Sequence, residues 1–237
     1  MKITVLTNDT THHRYFVQQL NNSENELLII SERSPVIESS LHDLHINYHQ
    51  YEQDKWFKGK ETKLDDFGNT FFCDNVNEDL VFNAIQGFSP DLIIVFGTGL
   101  IGFKLINQFQ DRIFNLHGGN PEKYRGLDSH LWVSYFKDWN YLVTTLHRVE
   151  PEFDTGEIVE MLPLPIPANA KLHQLRSINT EICIRLIQNL ITASQDNNLF
   201  CEPQKEKGQY FSSIPEEYKQ KCVENFETYT LAITNDS

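Results

Sequence analysis

The sequence predicts a doubly wound α/β fold built on a mainly parallel sheet. Three short apolar runs, 2–7, 26–31 and 91–97, read as strands buried on both faces, as parallel sheets require. Segments of helical spacing alternate with them. A loop rich in Gly, Asn and Pro follows a further strand at Arg112–Leu116, which is where open α/β sheets place ligands. A length of 237 residues accommodates one such domain over 1–198 with a short C-terminal strand and helix extension over 199–237.

In chain order, 2–7 is the first strand, and His12–Leu20 has helical spacing with Phe16 and Leu20 four apart. Strand 26–31 follows. Residues 32–75 are polar, aromatic and poorly periodic, with Leu41–His49 a short helix or strand. Asn77–Phe88 is expected as a helix with Leu80, Ala84 and Ile85 on one side, and Ser89-Pro90 resets the chain for strand 91–97. Leu127–Trp139 is expected as a helix whose apolar stripe is Leu131, Trp132 and Tyr135. Tyr141–Val149 and Glu157–Ile166 read as strands either side of Asp154. Lys171–Ala193 is the clearest helix, with Leu172, Leu175, Ile178, Ile182, Leu186 and Leu190 on its core face. Beyond Asp196, the stretches at Gly208–Phe211 and Ile214–Glu217 suggest a returning strand and a terminal helix.

The chemistry concentrates in Asn115-Leu116-His117-Gly118-Gly119-Asn120-Pro121-Glu122-Lys123-Tyr124-Arg125-Gly126, answered downstream by Asp154-Thr155-Gly156. Strand side chains alternate, so Asn115 and His117 project to the same side. An amide to hold an oxyanion, an imidazole to move a proton and a carboxylate to orient the imidazole make up the equipment for acyl transfer. The paired glycines 118 and 119 are expected to leave open space beside His117 for a substrate. Alone, each piece has an ordinary reading: Asn satisfies strand ends, and Asp-Thr-Gly is a turn.

Taken together in this order, these segments resemble the formyltransferase family that uses 10-formyltetrahydrofolate, whose signature is Asn-x-His, a loop ending Tyr-Arg-Gly, and Asp-Thr-Gly. The resemblance covers 80–165 well. It implies a Rossmann-like fold of the formyltransferase type, with Asn115, His117 and Asp154 as the catalytic three. Thr144–Val149 resembles the family's Thr-x-His strand, and Asp91–Ile101 resembles the strand and loop of the folate pocket. Phe96, Gly97, Thr98, Gly99, Leu100 and Ile101 are therefore the expected cofactor-binding residues, and 10-formyltetrahydrofolate the expected co-substrate, with no metal. The loop is not a dinucleotide fingerprint, since it comes late in the chain and lacks G-x-G-x-x-G spacing.

Within the family, the methionyl-tRNA enzymes carry a longer, basic C-terminal region, which residues 199–237 do not resemble. Glycinamide-ribotide enzymes carry a glycine-rich phosphate loop after the first strand, whereas Thr7–Arg14 has no glycine. The sugar N-formyltransferase branch fits best, with Gly119-Asn120-Pro121-Glu122 replacing the usual Ser-Leu-Leu-Pro. The expected acceptor is a nucleotide-linked aminodideoxy sugar, specifically dTDP-4-amino-4,6-dideoxyglucose, made for O-antigen or another surface polysaccharide. Lys123, Tyr124 and Arg125, together with His12 and His13, are the candidate substrate-binding residues, since two cations and an aromatic can hold a sugar diphosphate. Two other readings remain: a formyltetrahydrofolate hydrolase using the same three residues, and a non-catalytic nucleotide-binding module.

Composition limits the partners. A net charge of −13, with 20 Lys and Arg and no run of them, argues against a nucleic-acid surface. Cys73, Cys183, Cys201 and Cys222 are too scattered for a zinc site or a disulfide framework. His42, His45 and His49 share helical spacing, but no carboxylate or thiol is geared to complete a metal site, so solvated histidines are expected. The chain opens on a strand with no leader-like segment, and no apolar run reaches transmembrane length. A cytoplasmic protein without membrane partners is expected, and a homodimer is compatible with it.

Overall fold

The computed structural model describes residues 1–21, 24–33 and 43–233, with the backbone alone for 43–47. The chain divides into two units, Met1–Leu116 with His147–Glu152, and His117–Leu146 with Phe153–Ser237.

The first unit carries β1 (Lys2–Thr7), β2 (Glu26–Glu32), β3 (Thr70–Cys73), β4 (Leu92–Phe96) and β5 (Ile113–His117, whose last residue opens the second unit). Their order is β3-β2-β1-β4-β5, and every neighbouring pair is parallel. Val5 stands between Ile29 and Ile94, so the apolar runs read from the sequence are the buried centre of this sheet. The chain moves outward from β1 to β3 and then returns to lay β4 against the other edge of β1. That reversal creates a switch point between β1 and β4, outside whose carboxyl ends doubly wound sheets bind ligands.

Helix α1 (Thr11–Leu20) buries Phe16, Val17 and Leu20. Helix α2 (Asp43–Phe57) extends well past the short element expected around Leu41–His49; of that stretch, Leu41 and His42 lie outside the described residues. Helix α3 (Asp79–Phe88) begins two residues later than expected and turns a different face inward: Val81 and Ile85 are buried, while Leu80 is 67% exposed. The later start has a local cause. Asn77 is spent on turn chemistry, its N–H donating to Asn75 Oδ1, so the helix starts only after it. Val81 and Ile85 join Leu105, Ile106 and Phe109 of α4 (Phe103–Phe109) over the sheet residues Ile93 and Ile113.

The second unit contains β6 (Tyr124–Gly126), α5 (Ser129–Phe136), β7 (Val143–Arg148, its last two residues in the first unit), β8 (Ile158–Pro163), α6 (Leu175–Gln195), β9 (Gln209–Phe211) and α7 (Glu216–Ala232). The six apolar residues expected on the core face of the long helix are all buried, Leu172 from a 3-10 turn just ahead of α6. In α5 the expected stripe is only half-buried; full burial falls on Val133 and Ser134. That face is taken by α7, whose Asn225 amide donates to the carbonyls of Ser134 and Tyr135. The returning strand is present as β9. It runs parallel to β6, with Tyr124 opposite Gln209 and Gly126 opposite Phe211.

Candidate active site

His117 ends β5 and is buried. Its Nε2 lies 2.7 Å from the carbonyl oxygen of Tyr124. A carbonyl only accepts, so Nε2 carries a hydrogen and donates it. The other ring nitrogen, Nδ1, faces Asp154 Oδ2 at 3.5 Å. The same carboxylate oxygen accepts the backbone N–H of Gly126 at 2.7 Å. Asp154 is itself buried, so its charge is held among protein groups, where electrostatic interactions are stronger than in water.

Asp154 reaches this position from a turn with φ +54°, a left-handed conformation that Asp tolerates better than most L residues. Neighbouring side chains hold the turn in place. Gln204 Nε2 donates to the carbonyls of Asp154 at 2.9 Å and Gly156 at 2.8 Å. Arg125 Nη1 donates to the carbonyl of Phe153 at 3.1 Å.

The paired glycines serve packing rather than open space. A Cβ at Gly119 would stand 2.7 Å from Ser129 Cβ and 2.9 Å from His117 Nε2, and one at Gly118 would stand 3.2 Å from His130 Cε1. The space at these two glycines is thus filled by the protein's own side chains, correcting the expectation that they leave it vacant for a substrate. The Gly119 carbonyl is fixed by Thr145 Oγ1 at 2.7 Å. His130 donates from Nε2 to the Val143 carbonyl at 2.7 Å, and burial pushes its pKa down to about 4, so this ring is neutral at pH 7.

In the first unit, Asn115 is half-buried, and its Nδ2 lies 3.1 Å from His147 Nε2. His147 Nδ1 lies 2.7 Å from the Arg148 carbonyl, so the hydrogen sits on Nδ1 and Nε2 accepts from the amide. One amide hydrogen of Asn115 is thereby aimed, which gives the Thr144–Val149 segment a physical role.

The loop at residues 97–102 follows β4 at the switch point. Phe96 and Ile101 are buried, Thr98 is half-buried, and Gly99 and Leu100 are exposed. Gly97 has φ +90°, and a Cβ there would collide with the His13 ring. The Gly97 carbonyl accepts from Asn8, the Gly99 N–H donates to Glu32 Oε2 at 2.8 Å, and Asn77 accepts from Gly102 N and donates to the Leu100 carbonyl. His12 and His13 are buried beside it, both Nδ1 atoms within 3.0 Å of Thr10 Oγ1 and both rings edge-on to Phe96.

The match with known families adds an independent line. The family model described as formyl transferase matches residues 1–181. The chain belongs to the formyl transferase family. Methionyl-tRNA formyltransferase of Finegoldia magna is 26% identical over 141 residues, which are 59% of this chain and 44% of that protein, so the chain spans less than half the length of this curated relative. The formyltransferase PseJ from Anoxybacillus kamchatkensis, solved with UDP-4,6-dideoxy-4-formamido-L-AltNAc and tetrahydrofolate, superposes with a TM-score of 0.57 at 16% identity, covering 95% of this chain and 99% of that one. A sugar N-formyltransferase from Shewanella sp. gives 0.60 at 14% identity, covering 100% and 90%. At these identities the structures share the formyltransferase fold.

In this formyl transferase family member, Lys123, Tyr124 and Arg125 each have partners within the protein. Arg125 is buried, with Nε donating to the Gly208 carbonyl at 2.8 Å and Nη1 to Phe153, so its guanidinium holds backbone. Tyr124 is buried against Phe211, and its hydroxyl donates to Asp138 at 2.9 Å; burial and that carboxylate raise its pKa. Lys123 pairs with Glu206 at 2.7 Å, which raises the lysine pKa. Lys123 and Arg125 tie the β6 loop to the segment before β9, and Tyr124 packs on β9 itself through Phe211. Gln204, Glu32 and Asn77 were not legible as site residues, because each acts on a loop distant in sequence through a backbone carbonyl or N–H. Among the described residues no cluster of three or more His, Cys, Asp or Glu has a metal-holding arrangement, and no helix is long and apolar enough to cross a membrane. Burial pushes the Cys73 thiol up to about 11 and Cys222 up to about 12, leaving both protonated and unreactive.

Proposed function

We propose that the chain transfers a formyl group from 10-formyltetrahydrofolate to the amine of a nucleotide-linked aminodideoxy sugar. The observation that carries this reading is the buried His117, with Nε2–H committed to the Tyr124 carbonyl and Nδ1 set against the Asp154 carboxylate. The neutral amine attacks the formyl carbon, the carbonyl becomes a tetrahedral oxyanion, and the bond to N10 of the folate then breaks. The proton lost by the amine replaces the one N10 needs. With Nε2 committed, Nδ1 is the atom at which the ring exchanges that proton, and Asp154 balances the positive ring. The Asn115 amide, aimed by His147, is the oxyanion donor, a role typically worth about two to three powers of ten in turnover.

Folate is assigned to the loop at residues 97–102, whose exposed Gly99 and Leu100 and glycine-lined backbone at the switch point suit a flat ring. Glu32, Asn77 and Asn8 hold that loop in shape. The sugar nucleotide is supported by the fold shared with PseJ and the Shewanella enzyme over nearly their full chains. Among such acceptors we favour dTDP-4-amino-4,6-dideoxyglucose, on the resemblance of the Asn115–Gly126 run, with a role in O-antigen or other surface polysaccharide synthesis. The test is to incubate the protein with 10-formyltetrahydrofolate and a panel of aminosugar nucleotides, reading products by mass spectrometry. Formylation of one acceptor with equal release of tetrahydrofolate is expected. Folate turnover at the same rate without any amine would make the protein a hydrolase, and no turnover with any acceptor would remove the reading.

A further inference from the structure

We propose that Gln204 is a positioning residue that sets the Asp154 carboxylate against His117, which makes the polar segment before β9 part of the reaction machinery; this rests on the function proposed above. Asp tolerates the left-handed region that Asp154 occupies at φ +54°, so what its surroundings decide is where the turn aims the carboxylate. Beside Arg125 on the Phe153 carbonyl and the Gly126 N–H on the carboxylate, one side-chain amide grips this turn at two carbonyls. Gln204 Nε2 bonds the carbonyls of Asp154 and Gly156 together, at 2.9 and 2.8 Å, on either side of Thr155.

The amide is itself well anchored. Two residues before it, Glu202 exchanges both backbone hydrogen bonds with Ile158 at 2.8 Å, just beyond the turn. One residue after it, the Lys205 N–H donates to Glu122 at 2.6 Å, and Glu206 pairs with Lys123. The segment 202–206 thus ties the Asp154 turn to the loop that follows His117. Rotation of the Asp154 backbone would swing Oδ2 away from both the Gly126 N–H and His117 Nδ1. The loss would fall on the chemical step, since Gln204 acts on the carbonyl of the residue that faces the imidazole.

Three variants separate this from a merely structural role. Gln204→Met keeps the shape without donors, Gln204→Glu sets an acceptor against two carbonyls, and Gln204→Lys restores donors. The first two should lower kcat about 10- to 100-fold, as a misplacement of about 1 Å can, with both KM values within about threefold. Gln204→Lys should recover most of kcat. Adding Gln204→Met to Asp154→Ala should change turnover less than about twofold, because there is then no carboxylate to position. A second readout needs no turnover: the imidazole 15N resonances of His117, assigned through His117→Gln, should move in Gln204→Met in the same direction as in Asp154→Ala. Unmoved resonances with unchanged kcat in folded Gln204→Met and Gln204→Glu would overturn the proposal, as would a multiplicative loss in the double variant. If the resonances move but the wild-type protein formylates no aminosugar nucleotide, the positioning stands and the proposed function falls.

Discussion

At the residue scale, the proposed chemistry rests on two ring nitrogens with different partners. Nε2 of His117 is tied to a carbonyl and Nδ1 faces a carboxylate that also accepts the Gly126 N–H. Such a pair acts as a unit, because a carboxylate that orients a ring has nothing to orient once the ring is gone. His117→Ala and Asp154→Ala are each expected to lower turnover at least about a hundredfold, and the double variant to be no worse than the poorer single. Asp154→Asn keeps an acceptor for Gly126 but removes the charge, so it should retain the fold and lose nearly as much rate. Steady-state kinetics on folded variants checks this; a fully additive double variant would mean that the two residues work separately. Asn115, His117 and Asp154 stood out in the sequence through the order of their motifs and the resemblance to the formyltransferase family, and the structure sets the His117 ring beside Asp154. The filled space around Gly119 was not legible, since a glycine spared for a substrate and one spared for Ser129 look alike in sequence.

At the element scale, regular amphipathic pieces were readable and polar interiors were not. Helix α6 repeats its apolar residues in phase with the helical turn, so its buried face was plain from the chain. Helix α2 hid because its buried residues include Glu52 and Gln53 beside Tyr48 and Phe57, which erases the pattern. The pairing of β6 with β9 was hidden for another reason: three-residue strands carry no period, and beside their backbone hydrogen bonds the buried tie is Arg125, donating to the Gly208 carbonyl just ahead of β9. Removing that guanidinium would leave the Gly208 and Phe153 carbonyls short of donors, at a cost of about 1–3 kcal/mol. Arg125→Ala should therefore lower the melting temperature by roughly 2–12 °C, at about 2–4 °C per kcal/mol for a chain of this size. It should also reduce turnover through the Asp154 turn while moving the KM values for folate and acceptor alike. An unchanged melting temperature with a raised acceptor KM alone would return Arg125 to phosphate binding.

At the scale of the whole molecule, two effects of acid oppose each other. The net charge of −13 at pH 7 vanishes near the isoelectric point of about 5.1, which relieves self-repulsion and favours the folded state. Against this stands His130, neutral in the fold with its pKa down at about 4 from an ordinary 6.5. Above pH 6.5 both folded and unfolded chains leave this ring uncharged, and it costs nothing. Between 6.5 and about 4 the unfolded chain takes up a proton that the folded chain refuses, so stability falls as pH falls. At 1.36 kcal/mol per pKa unit the whole window amounts to about 3 kcal/mol, a large share of an ordinary folding free energy. Salt separates the two effects. At about 0.5 M the screening length is roughly 4 Å, so exposed repulsion is largely removed while a buried desolvation cost persists. Denaturant midpoints in that salt should fall steadily from pH 6.5 to 4. His130→Gln, which can still donate to the Val143 carbonyl, should remove about 3 kcal/mol of that fall. Burial also lowers His173, and the exposed carboxylates Asp79 and Glu206 are lowered by their lysine partners; all three slope the same way and are present in both proteins. The difference between wild type and variant therefore isolates His130. Parallel curves for the two proteins would show that the ring is protonated in the fold and that its burial carries no such cost.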